Sequence, residues 1–254
     1  PDPLGRKEGD ALCPIRKPRE FLEREFKFGQ STTMFWNSLY QGNPSPPDGN
    51  KIKRATLEEA RVIHLPQEDK AKGNLKHVRF WDKASSESKR SDFTVGLLMT
   101  LDLNDSKYYV EDIVRGRWAT EERDAIILKT AEKDAERYGH NVEIIHEQEP
   151  GASGKDVALI TNQMLSAYNV KAVKSSGSKE HRLDPFVSAV NNGLVYFLEQ
   201  QTEKGYGIPK EVLAVYFDEL SVFPNGEHDD TVDASSGSFN ALNVYKRKKI
   251  KVMF

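Results

Sequence analysis

Phe93-Thr94-Val95-Gly96-Leu97-Leu98-Met99-Thr100-Leu101 and Tyr108-Tyr109-Val110-Glu111-Asp112-Ile113-Val114-Arg115-Gly116-Arg117-Trp118 are two β-rich runs, separated by the turn chemistry of Asp102-Leu103-Asn104-Asp105-Ser106-Lys107. Together they predict a hairpin. Upstream, His77-Val78-Arg79-Phe80-Trp81 is a shorter run ending in Asp82, so three strands come in succession. Downstream, Thr120 reads as an N-cap with Glu121 and Glu122 in the first turn, and Ile127, Ala131, Ala135 and Tyr138 recur at helical spacing until Gly139. The pattern then alternates: a strand over 142–146, a helix over 155–165 with Val157, Ile160 and Met164 on one face, and a strand over 170–173. A helix over 184–192, a strand over 194–198, a helix over 209–220 with Pro209 first, and a helix over 231–244 complete it. This order predicts an α/β fold, a mixed sheet with helices on both faces.

The first seventy residues read differently. Pro3, Pro14, Pro18, Pro44, Pro46, Pro47 and Pro66 crowd there, and Asn43-Pro44-Ser45-Pro46-Pro47-Asp48-Gly49-Asn50 has the composition of a linker. Short helices are expected over 18–28 and 33–40, but they bury too little apolar surface to stand alone, so they look like the end of another domain. The division falls at residue 60, with 61–254 as the folded domain. The chain begins at Pro1 and is expected to be a fragment.

A chain of 254 residues suits one large domain or one domain with an appendage, at roughly 150 residues per domain. Its 37% hydrophobic residues are enough to build a core, yet no apolar run approaches the roughly 20 residues that cross a bilayer, and no leader opens the chain. Membrane and secretory classes are excluded on that reading. The single Cys13 excludes a disulfide framework and a cysteine-rich zinc site. With 37 Lys+Arg against 39 Asp+Glu, any nucleic-acid surface must be a local basic patch.

Carboxylates stand at the ends of three predicted elements. Asp82 closes its strand with the parity of Val78 and Phe80, so it should share their side of the sheet, although it could simply cap a turn. Glu147 stands where Ile144-Ile145-His146 gives way to Gln148-Glu149-Pro150-Gly151, where an acid before a helix also suits the helix dipole. In His228-Asp229-Asp230-Thr231-Val232-Asp233, Asp230 and Asp233 lie three apart and can face one way, while N-capping by Asp230 is the alternative. Such acids from separate elements can hold a pair of hard divalent cations, and two ions can activate a water and stabilise the leaving oxygen in phosphodiester cleavage. Gly151-Ala152-Ser153-Gly154-Lys155-Asp156 is a poor phosphate loop: its first glycine is missing and Asp156 replaces the Ser or Thr. The six histidines lack paired metal-ligand spacing.

Several motifs in one order resemble the large terminase subunits of tailed bacteriophages, specifically their C-terminal nuclease domain. Asp2-Pro3-Leu4-Gly5-Arg6 through Pro14 and Tyr40-Gln41-Gly42-Asn43-Pro44 look like the end of the packaging ATPase domain and its linker, assigning 1–60 to that role. Phe80-Trp81-Asp82-Lys83-Ala84-Ser85 with Ser91-Asp92-Phe93-Thr94 resembles the first nuclease strand and its loop. The stretch from Glu147 to Lys155, and Lys179-Glu180-His181-Arg182 with Pro185-Phe186, are similar to the central motifs; Phe223-Pro224-Asn225-Gly226-Glu227-His228-Asp229-Asp230-Thr231-Val232-Asp233-Ala234 resembles the terminal one.

The resemblance implies a ribonuclease-H-like fold and a metal-dependent endonuclease that cuts concatemeric double-stranded DNA during genome packaging. It implies Asp82, Glu147 and Asp230 as catalytic metal-binding acids, with Asp229 and Asp233 as auxiliaries and two Mg²⁺ or Mn²⁺ ions as cofactors. Asp229 against Asp230, and Glu149 against Glu147, stay open as direct ligands. Portal protein and small terminase subunit are the implied partners, and the cytoplasm of the infected host the implied location. Phosphate contacts fall to Lys89, Arg90, Lys179 and Arg182, with the run Lys246-Arg247-Lys248-Lys249 and Lys251 as either DNA contact or solvated tail. The competing readings are a resolvase or transposase on the same fold, and a catalytically silent DNA-docking or motor-assembly module.

Overall fold

The computed structural model of the chain describes residues 13–22, 51–65, 74–84, 92–174, 178–202, 205–223 and 228–252, with side chains to residue 245. Among them the elements run α1 (Arg54–Glu59), β1 (Arg61–Val62), β2 (Leu75–Asp82), β3 (Thr94–Asp102), β4 (Lys107–Gly116) and α2 (Thr120–Tyr138). After a 3-10 turn at Gly139–Asn141 come β5 (Val142–Glu147), α3 (Ala152–Met164), β6 (Asn169–Val173), α4 (Lys179–Asn191), β7 (Val195–Leu198), α5 (Lys210–Val222) and α6 (Asp230–Val252). The expected linker at 43–50 and the helix at 33–40 lie outside the described residues; of the helix expected over 18–28, residues 19–22 are described and helical.

The strands form one mixed sheet in the order β1-β7-β4-β3-β2-β5-β6. The hairpin is present: β3 pairs antiparallel with both β2 and β4, whereas β2–β5, β5–β6, β4–β7 and β1–β7 are parallel. Residues of one parity, Val78 and Phe80 on β2 with Leu97 and Met99 on β3, join Ile145 in a cluster with Leu183 and Phe186 of α4, Phe217 of α5, and Val232 and Phe239 of α6. Trp81 and Ile144, of the other parity, pack with Ile127 and Ala131 of α2 and with Leu165. Helices therefore cover both faces, as the alternation of apolar residues along β2 requires. The α2 face also carries charge: Arg79 reaches Asp134 through Nε at 2.8 Å and Nη2 at 2.7 Å, and Asp112 through Nη2 at 2.8 Å. A buried guanidinium without those partners would be strongly destabilising.

Several details differ from the sequence reading; Pro209, for one, is the N-cap of α5, whose first residue is Lys210. Thr120 is the first helical residue of α2, after Ala119, and makes no side-chain cap. The helix expected over 155–165 begins at Ala152 and buries Gly154, Ala158 and Thr161, leaving Val157 and Ile160 about half exposed. α4 begins at Lys179, ahead of the expected start at Asp184, because Ser178 caps it, its Oγ accepting from the His181 N–H at 3.3 Å, and Pro185 sits inside the helix. β1 was not anticipated; it borders the sheet beside β7, and Ile52, Leu57 and Ala60 just before it lie in the main core cluster.

Candidate active site

The parallel pairing of β2 and β5 sets the geometry. Trp81 pairs with His146, so one step further along both strands Asp82 and Glu147 end side by side, with the parity of Phe80 and Ile145. Neighbouring strands lie about 4.8 Å apart, which brings the two carboxylates to one edge. α6 then crosses that face. Gly237 seats it against Phe80, where a Cβ would stand 2.4 Å from the ring, and Ser238 Oγ, which donates to the Ala234 carbonyl at 2.8 Å, lies 3.4 Å from the Leu97 carbonyl. The start of α6 is thereby held over the strand ends, and Asp230 Oδ2 accepts the Phe93 N–H at 3.1 Å.

Asp82, Glu147, Asp230 and Asp233 line one cleft of about 440 Å³. Of the sequence-predicted acids, Asp229 does not line it; its carboxylate pairs with Lys179 at 2.9 Å. Asp230 is bonded to Phe93 instead of capping its own helix. Glu147 and Glu149 both line the cleft, the first from the strand end and the second from the loop after it. Gly154, in the stretch that makes a poor phosphate loop, has a packing reason: a Cβ there would lie 2.1 Å from the Glu149 carbonyl oxygen.

The acids are electrostatically crowded. Burial, then the charges of Asp233, Glu147 and Asp230, push Asp82 up to about 8, with Lys179 opposing. Burial also raises Asp230, the Phe93 hydrogen bond opposing and the charges of Asp92 and Asp229 adding to the rise. Asp233 is raised by burial against the pull of Lys179. Excess negative charge on oxygen donors from two strands and a helix is the donor chemistry that suits a hard divalent cation. Among the described residues, no three His, Cys, Asp or Glu side chains form a ready ligand group. Basic residues bridge the acids instead. Arg182 Nη2 lies 3.1 Å from Asp233 and Nη1 3.8 Å from Glu147, while Lys179 Nζ lies 2.6 Å from Asp233. Lys179 remains charged, since its hydrogen bonds with Asp229 and Asp233 outweigh burial and raise its pKa.

Lys89 and Arg90 lie outside the described residues. The basic run from Lys246 to Lys251 falls in the last turns of α6, and its side chains are likewise outside. Three further charged groups line the cleft that sequence reasoning left out of the site: Asp92, Lys83 and Arg123. Lys83 donates to Thr161 Oγ1 at 2.9 Å and is pushed down to about 8, first by burial and then by the charge of Arg123. Arg123 Nη1 donates to the Ala84 carbonyl at 3.3 Å. Asp92 and Lys83 stand inside stretches already quoted as motifs, so motif membership was the available signal; Arg123 arrives from α2 and gave none.

A model of the terminase RNase H-like domain matches residues 79–242, well over half of the chain. No curated protein matches it by sequence. Among solved structures, the human cytomegalovirus terminase nuclease domain, soaked with Mn, aligns with a TM-score of 0.55 at 9% identity, over 76% of this chain and 94% of that one. The same domain with Mn and an inhibitor gives 0.53 at 11%, over 74% and 92%. The nuclease domain of the P22 large terminase gives 0.49 at 9%, over 75% and 90%. At such identities the cytomegalovirus likeness establishes a shared fold, here a ribonuclease-H-like one. The family match spans every acid of the cleft, from Asp82 to Asp233, and the chain belongs to the terminase RNase H-like domain family.

Proposed function

We propose that this chain is a divalent-metal-dependent endonuclease that cuts concatemeric double-stranded DNA during viral genome packaging, with Asp82, Glu147 and Asp230 as metal ligands and Asp229 and Asp233 as auxiliaries. The observation that carries the proposal is the convergence of Asp82, Glu147, Asp230 and Asp233 on one cleft of a terminase nuclease fold. The Mn-soaked cytomegalovirus domain supports a divalent cofactor, taken here as two Mg²⁺ or Mn²⁺ ions. Bound at these acids, the ions would supply an activated water and a counter-charge for the leaving 3′ oxygen. Asp82 and Glu147, fixed on adjacent strand ends, hold the donor oxygens in place, and Asp230 closes the set from the start of α6. Lys179 and Arg182, with Lys89 and Arg90, counter the phosphate charge that would otherwise be repelled by the acids.

In this reading residues 1–60 are expected to be the end of a packaging ATPase domain and its linker, and 61–254 the nuclease domain, but Ile52, Leu57 and Ala60 pack in the core of the latter, so its folded part starts before residue 60. Portal protein and a small terminase subunit are its partners, in the cytoplasm of the infected host. No described helix is long and apolar enough to cross a membrane. The test is incubation of the purified chain with plasmid DNA and Mg²⁺ or Mn²⁺ beside Asp82→Ala and Glu147→Ala. Cutting by the parent, and its loss in both folded variants, is expected. Near-parent cutting by either variant would remove that acid from the ligand set, and a parent that binds DNA without cutting it would favour the docking module.

A further inference from the structure

Lys179 and Arg182 stand three residues apart in the opening turns of α4, so their side chains leave one face of the helix. Both reach Asp233, from opposite carboxylate oxygens: Lys179 Nζ lies 2.6 Å from Oδ2 and Arg182 Nη2 3.1 Å from Oδ1. Lys179 also holds Asp229 Oδ1 at 2.9 Å. The two cations differ in anchorage. The Arg182 side chain is 21% exposed, and its backbone carbonyl accepts from Asn240 Nδ2 of α6 at 2.9 Å. The Lys179 side chain is 51% exposed, a point charge on a flexible stem that can leave without unpacking the helix.

Resting on the metal-dependent reading above, we propose that Lys179 is an internal counter-cation, which pairs with Asp233 in the metal-free protein, is displaced when a divalent ion loads, and then offers its ammonium to the DNA backbone. A divalent ion and the ammonium compete for the same carboxylate oxygens, and like charges this close repel each other. Displacement leaves Lys179 on the wall of the cleft where a phosphate would approach. Metal loading and phosphate binding are then coupled through a single side chain, with Arg182 staying in place between Asp233 and Glu147.

Calorimetric titration of the whole chain with Mn²⁺ tests the displacement. Lys179→Met should bind Mn²⁺ more tightly than the parent by up to about fivefold, the upper end for one partly exposed ion pair, while Lys179→Arg stays at or below the parent. Metal-free Lys179→Met should also melt at a lower temperature. Binding of duplex DNA at several salt concentrations tests the second half. In Ca²⁺ the parent's slope of log affinity against log salt should exceed that of Lys179→Met by about one, and in EDTA the two slopes should coincide. Equal or weaker Mn²⁺ binding by Lys179→Met would overturn the displacement, and equal slopes in Ca²⁺ would overturn the transfer to DNA. A parent that binds no divalent ion would instead remove the metal reading itself, and this inference with it.

Discussion

Asp229 and Asp230 are chain neighbours with different surroundings, and the difference is testable by amide substitution. Asp230 lies in the cleft with 5% of its surface exposed, and its Oδ2 is tied to the Phe93 N–H; Asp229 is 38% exposed along its side chain and pairs with Lys179. Asparagine keeps an acceptor for Phe93 while removing the charge that would hold a divalent ion, so Asp230→Asn should fold, melt at or above the parent temperature without metal, and lose nearly all cutting. Asp229→Asn should keep most of its activity, because Asp233 still holds Lys179. Cleavage assays in Mn²⁺ with thermal melts check both variants, and full activity in Asp230→Asn with loss in Asp229→Asn would move the ligand role one residue upstream. The grouping of Asp82, Glu147, Asp230 and Asp233 was legible because each ends or begins a periodic element, where parity fixes the side a carboxylate faces. The pairing of Lys179 and Arg182 with those acids was not, since it depends on where α4 starts.

Elements were legible in order and type more than in extent. Apolar alternation marked the strands and helical spacing the helices, but the expected start of α4 at Asp184 is late, because the Ser178 cap and burial of Leu183 and Phe186 set the true start. α3 misled in another way, for its apolar residues Val157 and Ile160 point outward and its contact face is made by Gly154, Ala158 and Thr161, small residues that carry no hydrophobic signal. α6 uses the same device at Gly237, which lets the helix settle on Phe80, two residues before Asp82. Alanine there would clash but regain about 1 kcal/mol of helix propensity, partly masking the effect; valine is a poorer helix former and bulkier. Gly237→Val should cost about 3 kcal/mol by overpacking and reduce cutting, since lifting α6 moves Asp230 away from the strand ends. Adding Phe80→Leu should restore part of the stability. A Gly237→Val protein as stable as the parent by chemical denaturation would mean that α6 is not seated on that ring.

At the scale of the whole molecule, two groups on β2, the buried His77 and the half-buried Asp82, give stability an unusual dependence on pH. His77 stacks on Tyr138 at 3.9 Å and shares a 2.7 Å hydrogen bond with Thr100; burial, then the charges of Arg137 and Lys76, pull it from 6.5 down to about 4. Between those values the unfolded chain binds the extra proton, so this contribution is complete above 6.5 and is lost as pH falls toward 4. Asp82 works in the opposite sense. Its carboxyl goes from 3.8 to about 8, so the folded chain keeps a proton that the unfolded one has released, and stability falls as pH rises through that interval. From about 4 to 6.5 the two oppose each other, and from 6.5 to 8 the Asp82 contribution remains. Its slope is at most one proton, about 1.4 kcal/mol per pH unit, which corresponds to a few degrees of melting temperature in a chain of this size. In EDTA the parent should therefore melt lower at pH 8 than at 6.5, and Asp82→Asn, which is neutral at every pH, should lose most of that decline. Mn²⁺ should reverse the parent's trend, because ligand carboxylates must be ionised to bind and the resulting stabilisation grows with affinity. A parent that melts at the same or a higher temperature at pH 8 in EDTA, or an Asp82→Asn variant with an undiminished decline, would show that this carboxyl does not hold the proton.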